Sequence, residues 1–135
     1  GDVSACMATC IEESGIDLYI GVGGAPEGVL AAAALRCMGG EIQAQLCAIH
    51  QDEQDRLDLA GYKDLSRVYR TRDLAGGNQI FFVATAVTDG ASLRGVRYLG
   101  AGKVATETLV MRTESGTIRK IEAIHDLSRK DMTKV

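Results

Sequence analysis

Glu27 is the one acidic residue in the run Gly21-Val22-Gly23-Gly24-Ala25-Pro26-Glu27-Gly28, and its chemistry depends on what that run does. Gly23 and Gly24 let the backbone turn sharply and come close to a ligand. Pro26 has its φ set for a first helical turn and lacks an amide proton that would be unpaired there anyway. The remaining amides at such a helix start can face an anion. A carboxylate in that turn has two uses: it complements the helix dipole, or it holds a cation that bridges to a bound phosphate. The loop alone leaves both open. Asp2 is placed to cap a following helix.

Other chemistries fit less well. A dinucleotide fingerprint starting at Gly21 needs glycine where Pro26 stands, and a phosphate loop of the Walker type needs Lys-Ser or Lys-Thr after a glycine. Ser4, Ser14, Ser66, Ser92, Ser115 and Ser128 lack a glycine elbow, so a nucleophilic hydrolase is a weak reading. Cys6 and Cys10 are one helical turn apart, Cys37 and Cys47 stand alone in apolar stretches, and no CxxC pair exists, so the four read as small buried thiols. His50 and His125 have no partner at metal-ligand spacing and read as surface or satisfied structural side chains. Arg36, the lone basic residue on its helix, reads as the partner of an acid at a layer edge, with a phosphate contact as the lesser alternative.

The elements that must position these residues follow from periodicity. Residues 3–13 carry apolar and small side chains at helical spacing, with Asp2 as N-cap and a stop at Ser14-Gly15. Residues 17–22 read as a short strand, and residues 26–38 as a helix apolar almost all round, hence buried, stopped by Gly39-Gly40. Residues 41–49 read as a strand, 51–60 as a polar helix, and 79–88, with Ile80-Phe81-Phe82-Val83, as a central strand covered on both faces. Strand, helix and strand in that order predict a βαβ unit. Residues 93–98, 105–113 and 117–125 are rich in Thr, Val and Ile, with a hairpin signal at Glu114-Ser115-Gly116, and predict an antiparallel end. The residues after Asp126 are polar and read as a loosely held tail. The expectation is one α/β domain of layered helices and a mixed sheet.

Charge divides the chain. Residues 1–90 carry 6 Lys and Arg against 13 Asp and Glu, and residues 91–135 carry 9 against 5, for a net charge of −3. An acidic surround for an anion-binding loop makes sense when a cation mediates. The basic end reads as a solvated surface: with aromatics at 4% and no recognised motif, nucleic acid is excluded as a partner. No apolar run reaches membrane-spanning length and no signal-peptide pattern is present, so the expected location is the cytoplasm.

Residues 21–40, together with Gly1-Asp2-Val3, closely resemble the second half of class II fructose-1,6-bisphosphatases. The likeness continues through Ala105-Thr106-Glu107-Thr108-Leu109, Thr117-Ile118-Arg119-Lys120-Ile121, Ile124-His125 and Arg129-Lys130-Asp131, with residues 51–72 the least distinctive part. The resemblance implies that residues 1–135 are the C-terminal domain of such an enzyme, built as the second half of an inositol monophosphatase-like sugar-phosphatase fold. It implies that Gly1 and Asp2 stand inside a motif whose preceding acid lies outside the chain. It further implies hydrolysis of the 1-phosphate of fructose 1,6-bisphosphate, perhaps also of sedoheptulose 1,7-bisphosphate, with Mn2+ or Mg2+ as cofactor. Within the family's pattern Glu27 matches a metal-binding acid, Gly24 a backbone contact to substrate, and Gly1 and Asp2 the end of a substrate-contacting acidic loop. No further catalytic residue is expected here, because most of the metal-binding acids lie upstream. The N-terminal half and further copies of the enzyme are the implied partners. A non-catalytic sugar-phosphate-binding or assembly module is the alternative for the isolated chain.

Overall fold

The computed structural model describes residues 1–90 and 92–130. In chain order the elements are α1 (Asp2–Ala8), a 3-10 turn (Glu12–Ser14), α2 (Ala25–Met38), β1 (Gln43–Ala44) and α3 (Gln51–Leu59). They continue with β2 (Tyr69–Arg70), α4 (Thr71–Leu74), β3 (Phe81–Thr85), β4 (Arg97–Gly100), β5 (Lys103–Arg112) and β6 (Thr117–Asp126), and a last 3-10 turn (Leu127–Arg129).

The long hairpin β5–β6 is the backbone of the sheet, registered from Lys103↔Asp126 to Arg112↔Thr117. Its turn is the predicted one. The other edge of β5 is shared end to end, with β3 along Thr108 to Arg112 and β4 along Lys103 to Ala105. β1 and β2 form a separate two-stranded ribbon. The α/β class is as expected, but every described strand pair is antiparallel, so the mixed sheet and the βαβ unit are corrected.

The core lies between the helices and one face of the sheet. Ala34 and Cys37 of α2 meet Met7 of α1 and Phe82, Leu109 and Met111 of the sheet, and Ala31, Ala32 and Leu35 of α2 and Ala8 of α1 are buried as well. Alanines at Ala31, Ala32 and Ala34 remove the bulk that would hold α1 and α2 apart. Gly39 closes α2 in the left-handed region at φ 81°, and the Gly40 amide donates back to the Leu35 carbonyl at 2.9 Å.

Several boundaries depart from expectation for identifiable reasons. Only the C-terminal part of α2 is buried; Val29 and Leu30 are exposed. The predicted strand at 17–22 is not formed: Leu18, Ile20 and Val22 are 72%, 84% and 71% exposed, and no described neighbour offers them a ladder. The expected strand at 41–49 shrinks to the two residues of β1. β3 is an edge strand with a single covered face: Phe82 and Ala84 turn to the core, while Phe81 and Val83 are exposed and the Arg112 guanidinium sits 4.9 Å from the ring of Phe81. The helix expected over 3–13 breaks after Ala8, where the Thr9 hydroxyl and amide both turn back to the Cys6 carbonyl. The expected tail begins as an ordered turn, with the Asp126 carboxylate accepting from the Ser128 amide and hydroxyl; residues 131–135 lie outside the described residues.

Candidate active site

Ala25, Pro26 and Glu27 form the first turn of α2, with Gly24 as N-cap. No side chain caps this end. The first helical bond runs from the Gly28 amide to the Gly24 carbonyl at 3.1 Å, so the amides of Ala25 and Glu27 precede the ladder and face outward. Glu27 does not lean away from the loop. Its Oε2 folds back over Gly24, where any β-carbon would collide with it.

Asp2 approaches the same loop from the other side. It is the first residue of α1 rather than its cap, and Gly1 holds the N-cap position, so the capping expectation for Asp2 is corrected. Its Oδ1 accepts the Tyr19 hydroxyl at 2.9 Å, and its Oδ2 lies 2.6 Å from where a Gly23 β-carbon would sit. Gly23 thus abuts the carboxylate of Asp2, and Gly24 that of Glu27. Gly1, Asp2, Gly24 and Glu27 are all exposed around this turn. The carboxylate beside Tyr19 raises its phenol pKa, chiefly through that hydrogen bond.

Tyr19 is the residue that sequence reasoning passed over. Its signal was a hydroxyl inside the apolar stretch Leu18-Tyr19-Ile20, which reads as strand and gives no hint of direction.

The donor set around this turn is oxygen only, the chemistry that suits a hard divalent cation. Among the described residues no group of three or more His, Cys, Asp or Glu side chains is placed to hold a metal ion. The turn therefore fits one ligand of a metal centre and does not make a centre by itself. The remaining candidates have structural neighbours. Among the described residues Arg36 pairs with no acid; its Nη1 donates to the carbonyls of Ala75, Gly76 and Gly77 at 2.8, 3.2 and 2.6 Å, tying α2 to the end of α4. His125 is satisfied by the Thr106 hydroxyl and the Lys130 ammonium, each at 2.9 Å. Burial raises the thiol pKa of Cys37, as an inert core residue requires; Cys6 and Cys10 are half-buried and Cys47 is exposed, so the reading of four buried thiols is corrected. An open cleft of about 350 Å³ between Leu93, Arg94, Glu107 and Lys120 lies away from Glu27, and Arg94 there is engaged by Glu107 at 2.8 Å.

Residues 1–125 match the family described as bacterial fructose-1,6-bisphosphatase, glpX-encoded. The chain belongs to that family. A bisphosphatase of Synechococcus sp. (strain JA-2-3B'a(2-13)), named D-fructose 1,6-bisphosphatase class 2/sedoheptulose 1,7-bisphosphatase, is 39% identical over 93% of this chain and 39% of its own length. The fructose-1,6-bisphosphatase 1 class 2 of Escherichia coli (strain K12) is 38% identical over 97% of this chain and 42% of its own length. The chain thus spans about two fifths of the length of these curated relatives, and the bisphosphatase family match runs through the turn that brings Asp2 and Glu27 together. No helix among the described residues is long and apolar enough to cross a membrane.

Proposed function

We propose that this chain is the C-terminal part of a class II fructose-1,6-bisphosphatase and supplies one wall of its active site. Its fold is then half of an inositol monophosphatase-like unit, completed by the N-terminal half of the same enzyme in the cytoplasm. The observation that carries the reading is the placement of the Glu27 and Asp2 carboxylates on either side of Gly23-Gly24, at an uncapped helix start. Glu27 is the metal ligand, its oxygen already turned toward the loop. The bound Mn2+ or Mg2+ supplies charge neutralisation at the phosphoryl oxygens and a more acidic water.

The other roles belong to this chain's own groups. The Gly24 backbone, left bare of a side chain, approaches the 1-phosphate end of fructose 1,6-bisphosphate closely, and sedoheptulose 1,7-bisphosphate presents the same terminal group. The outward amides of Ala25 and Glu27 complement its negative charge. Asp2, with Gly1 beside it, accepts a sugar hydroxyl, and Tyr19 holds that carboxylate in place through its own hydroxyl. Hydrolysis then yields fructose 6-phosphate and phosphate.

In the full-length enzyme, Glu27→Gln lowers metal-dependent phosphate release by at least tenfold at limiting metal while leaving the circular dichroism unchanged. Unaltered release at limiting Mn2+ removes Glu27 from the ligand set. A second reading, a sugar-phosphate-binding module without turnover, is favoured for the isolated chain by the lack of a three-donor cluster among the described residues. Phosphate release by the chain alone, with a chelator control, rejects that reading.

A further inference from the structure

The core face of the β5–β6 hairpin changes character along its length. Ile118 lies opposite Met111, Lys120 opposite Leu109 and Glu122 opposite Glu107, so the face runs from apolar to charged with Lys120 at the change. Lys120 thus stands beside a buried leucine, and among the described residues its ammonium has no carboxylate partner. Two cavities share this lysine. The cleft of about 350 Å³ lies on the charged side. An apolar cavity of about 190 Å³ lies on the other, lined by Met7, Ile11, Met38, Leu109 and Ile118. Ser92 and Lys120 line both. Together they reach the size of small-molecule sites, roughly 300–1,000 Å³.

The loop that bounds the cleft is tied down. The Gly90 amide donates to the Leu93 carbonyl at 3.0 Å, the Gly95 amide to Asp89 Oδ1 at 2.8 Å, and the Arg94 amide to Glu107 Oε2 at 2.9 Å. Within this braced loop the Ser92 hydroxyl oxygen is buried without a hydrogen-bond partner among the described residues. Buried hydroxyls are rarely left in that state, because the lost hydration is not replaced. Arg97 Nε is unpaired in the same way, although the Arg97 guanidinium is shared by Glu107 and Glu122.

We propose that the joined cavities bind a small amphipathic monocarboxylate, with its carboxylate on Lys120 and Ser92 and its apolar body among Met7, Met38 and Ile118. Charge decides the head group. Arg94, Arg97 and Lys120 stand with Glu107 and Glu122, three cations to two carboxylates, and Glu107 engages both arginines. One carboxylate on Lys120 balances the remaining positive charge, whereas a phosphate dianion exceeds it. The Ser92 hydroxyl donates to the same carboxylate and is no longer unpaired. Volume decides the body: an apolar cavity of about 150 Å³ holds a benzene ring, so this one takes an apolar group of about six carbons. Met7 and Met38 suit a ring there, since thioethers pack favourably at aromatic edges and adapt to the shape they meet. Met7 lies in the last turn of α1, which starts at Asp2, and Met38 ends α2, whose first turn holds Glu27. The site therefore occupies the opposite helix ends from the Gly23-Gly24 turn and does not depend on the chemistry proposed there.

The test is a titration of the full-length protein, isotope-labelled at its methionine methyl groups, with hydrocinnamate. The expected result is saturable shifts of the Met7 and Met38 methyl signals, assigned from Met7→Leu and Met38→Leu spectra, with a dissociation constant below about 10 mM. Lys120→Met keeps an apolar stem without the charge and is expected to weaken binding about tenfold, while Lys120→Arg stays within about threefold. Ser92→Ala is expected to weaken binding about fivefold and, by removing an unpaired buried hydroxyl, to leave the ligand-free protein no less stable in urea. Hydrocinnamyl alcohol, which lacks the charge, is expected to bind about tenfold more weakly than the acid. No saturable shift at either methionine, unchanged affinity in Lys120→Met, or displacement of hydrocinnamate by equimolar inorganic phosphate overturns the proposal. Phosphate release is not among the readouts, so failure here leaves the phosphatase reading standing, and failure of that reading leaves this site standing.

Discussion

At Asp2 the two carboxylate oxygens have different neighbours, and that difference can be measured. Oδ1 holds the Tyr19 hydroxyl, and the nearby negative charge disfavours the phenolate. Asp2→Asn is therefore expected to lower the Tyr19 pKa toward its ordinary value, read by NMR titration in the alkaline range. Tyr19→Phe removes the hydroxyl that steadies Asp2 and is expected to raise KM for the sugar bisphosphate a few-fold, with kcat little changed. A fall in kcat without a change in KM would count against Asp2 as a substrate contact. Glu27 and Gly24 could be read from the sequence because a glycine pair followed by proline and glutamate describes its own local geometry. Tyr19 could not, because the direction of its side chain is set by the path of a segment that local pattern misassigned.

At the scale of elements, the accurate readings are those whose partners are close in sequence. The hairpin of β5 and β6 is set by alternating Thr, Val and Ile around one turn, and α3 by its own polar pattern and N-terminal acids. Glu53 accepts the amides of Ile49 and His50 at 2.8 and 3.2 Å, and these bonds hold its carboxyl below the ordinary range. A depressed folded pKa contributes stability above the unfolded value and loses it as pH falls through the folded one. The start of α3 is thus expected to loosen on acidification below about pH 4, and Glu53→Gln to abolish that pH dependence, both followed by amide chemical shifts. The buried end of α2 is less forgiving. Leu35 is 2% exposed, and Leu35→Ala is expected to cost about 2–5 kcal/mol in urea unfolding. The Ile-Phe-Phe-Val run misled because continuous apolar sequence does not say how many faces are covered; the outer face keeps Phe81 and Val83 exposed, with a guanidinium over the Phe81 ring.

The whole molecule has one firm region and one unfinished one. Its firm part is the sandwich of α1 and α2 on β3, β5 and the inner face of the hairpin, where the buried side chains are concentrated. α3 has no buried residue, and Leu18, Ile20 and Val22 are exposed with no strand beside them among the described residues, although their pattern is that of a strand. Strand propensity without a neighbour supplies no hydrogen bonds, so the segment stays extended and unpaired. The relatives are about two and a half times as long as the stretch they share with this chain, which leaves ample sequence for a neighbouring strand. Hydrogen exchange tests this directly. In the isolated chain, amides of β5 and of the second half of α2 should exchange only with global unfolding, α3 should exchange by local opening, and residues 17–22 should be unprotected. In the full-length protein the amides of 17–22 should gain at least a hundredfold protection while those of α3 do not. Because this segment leads directly into Gly23-Gly24, the same pairing would fix the loop between Asp2 and Glu27. Unprotected amides at 17–22 in a full-length enzyme that still hydrolyses its substrate would show that the loop is held by Asp2 and Glu27 alone.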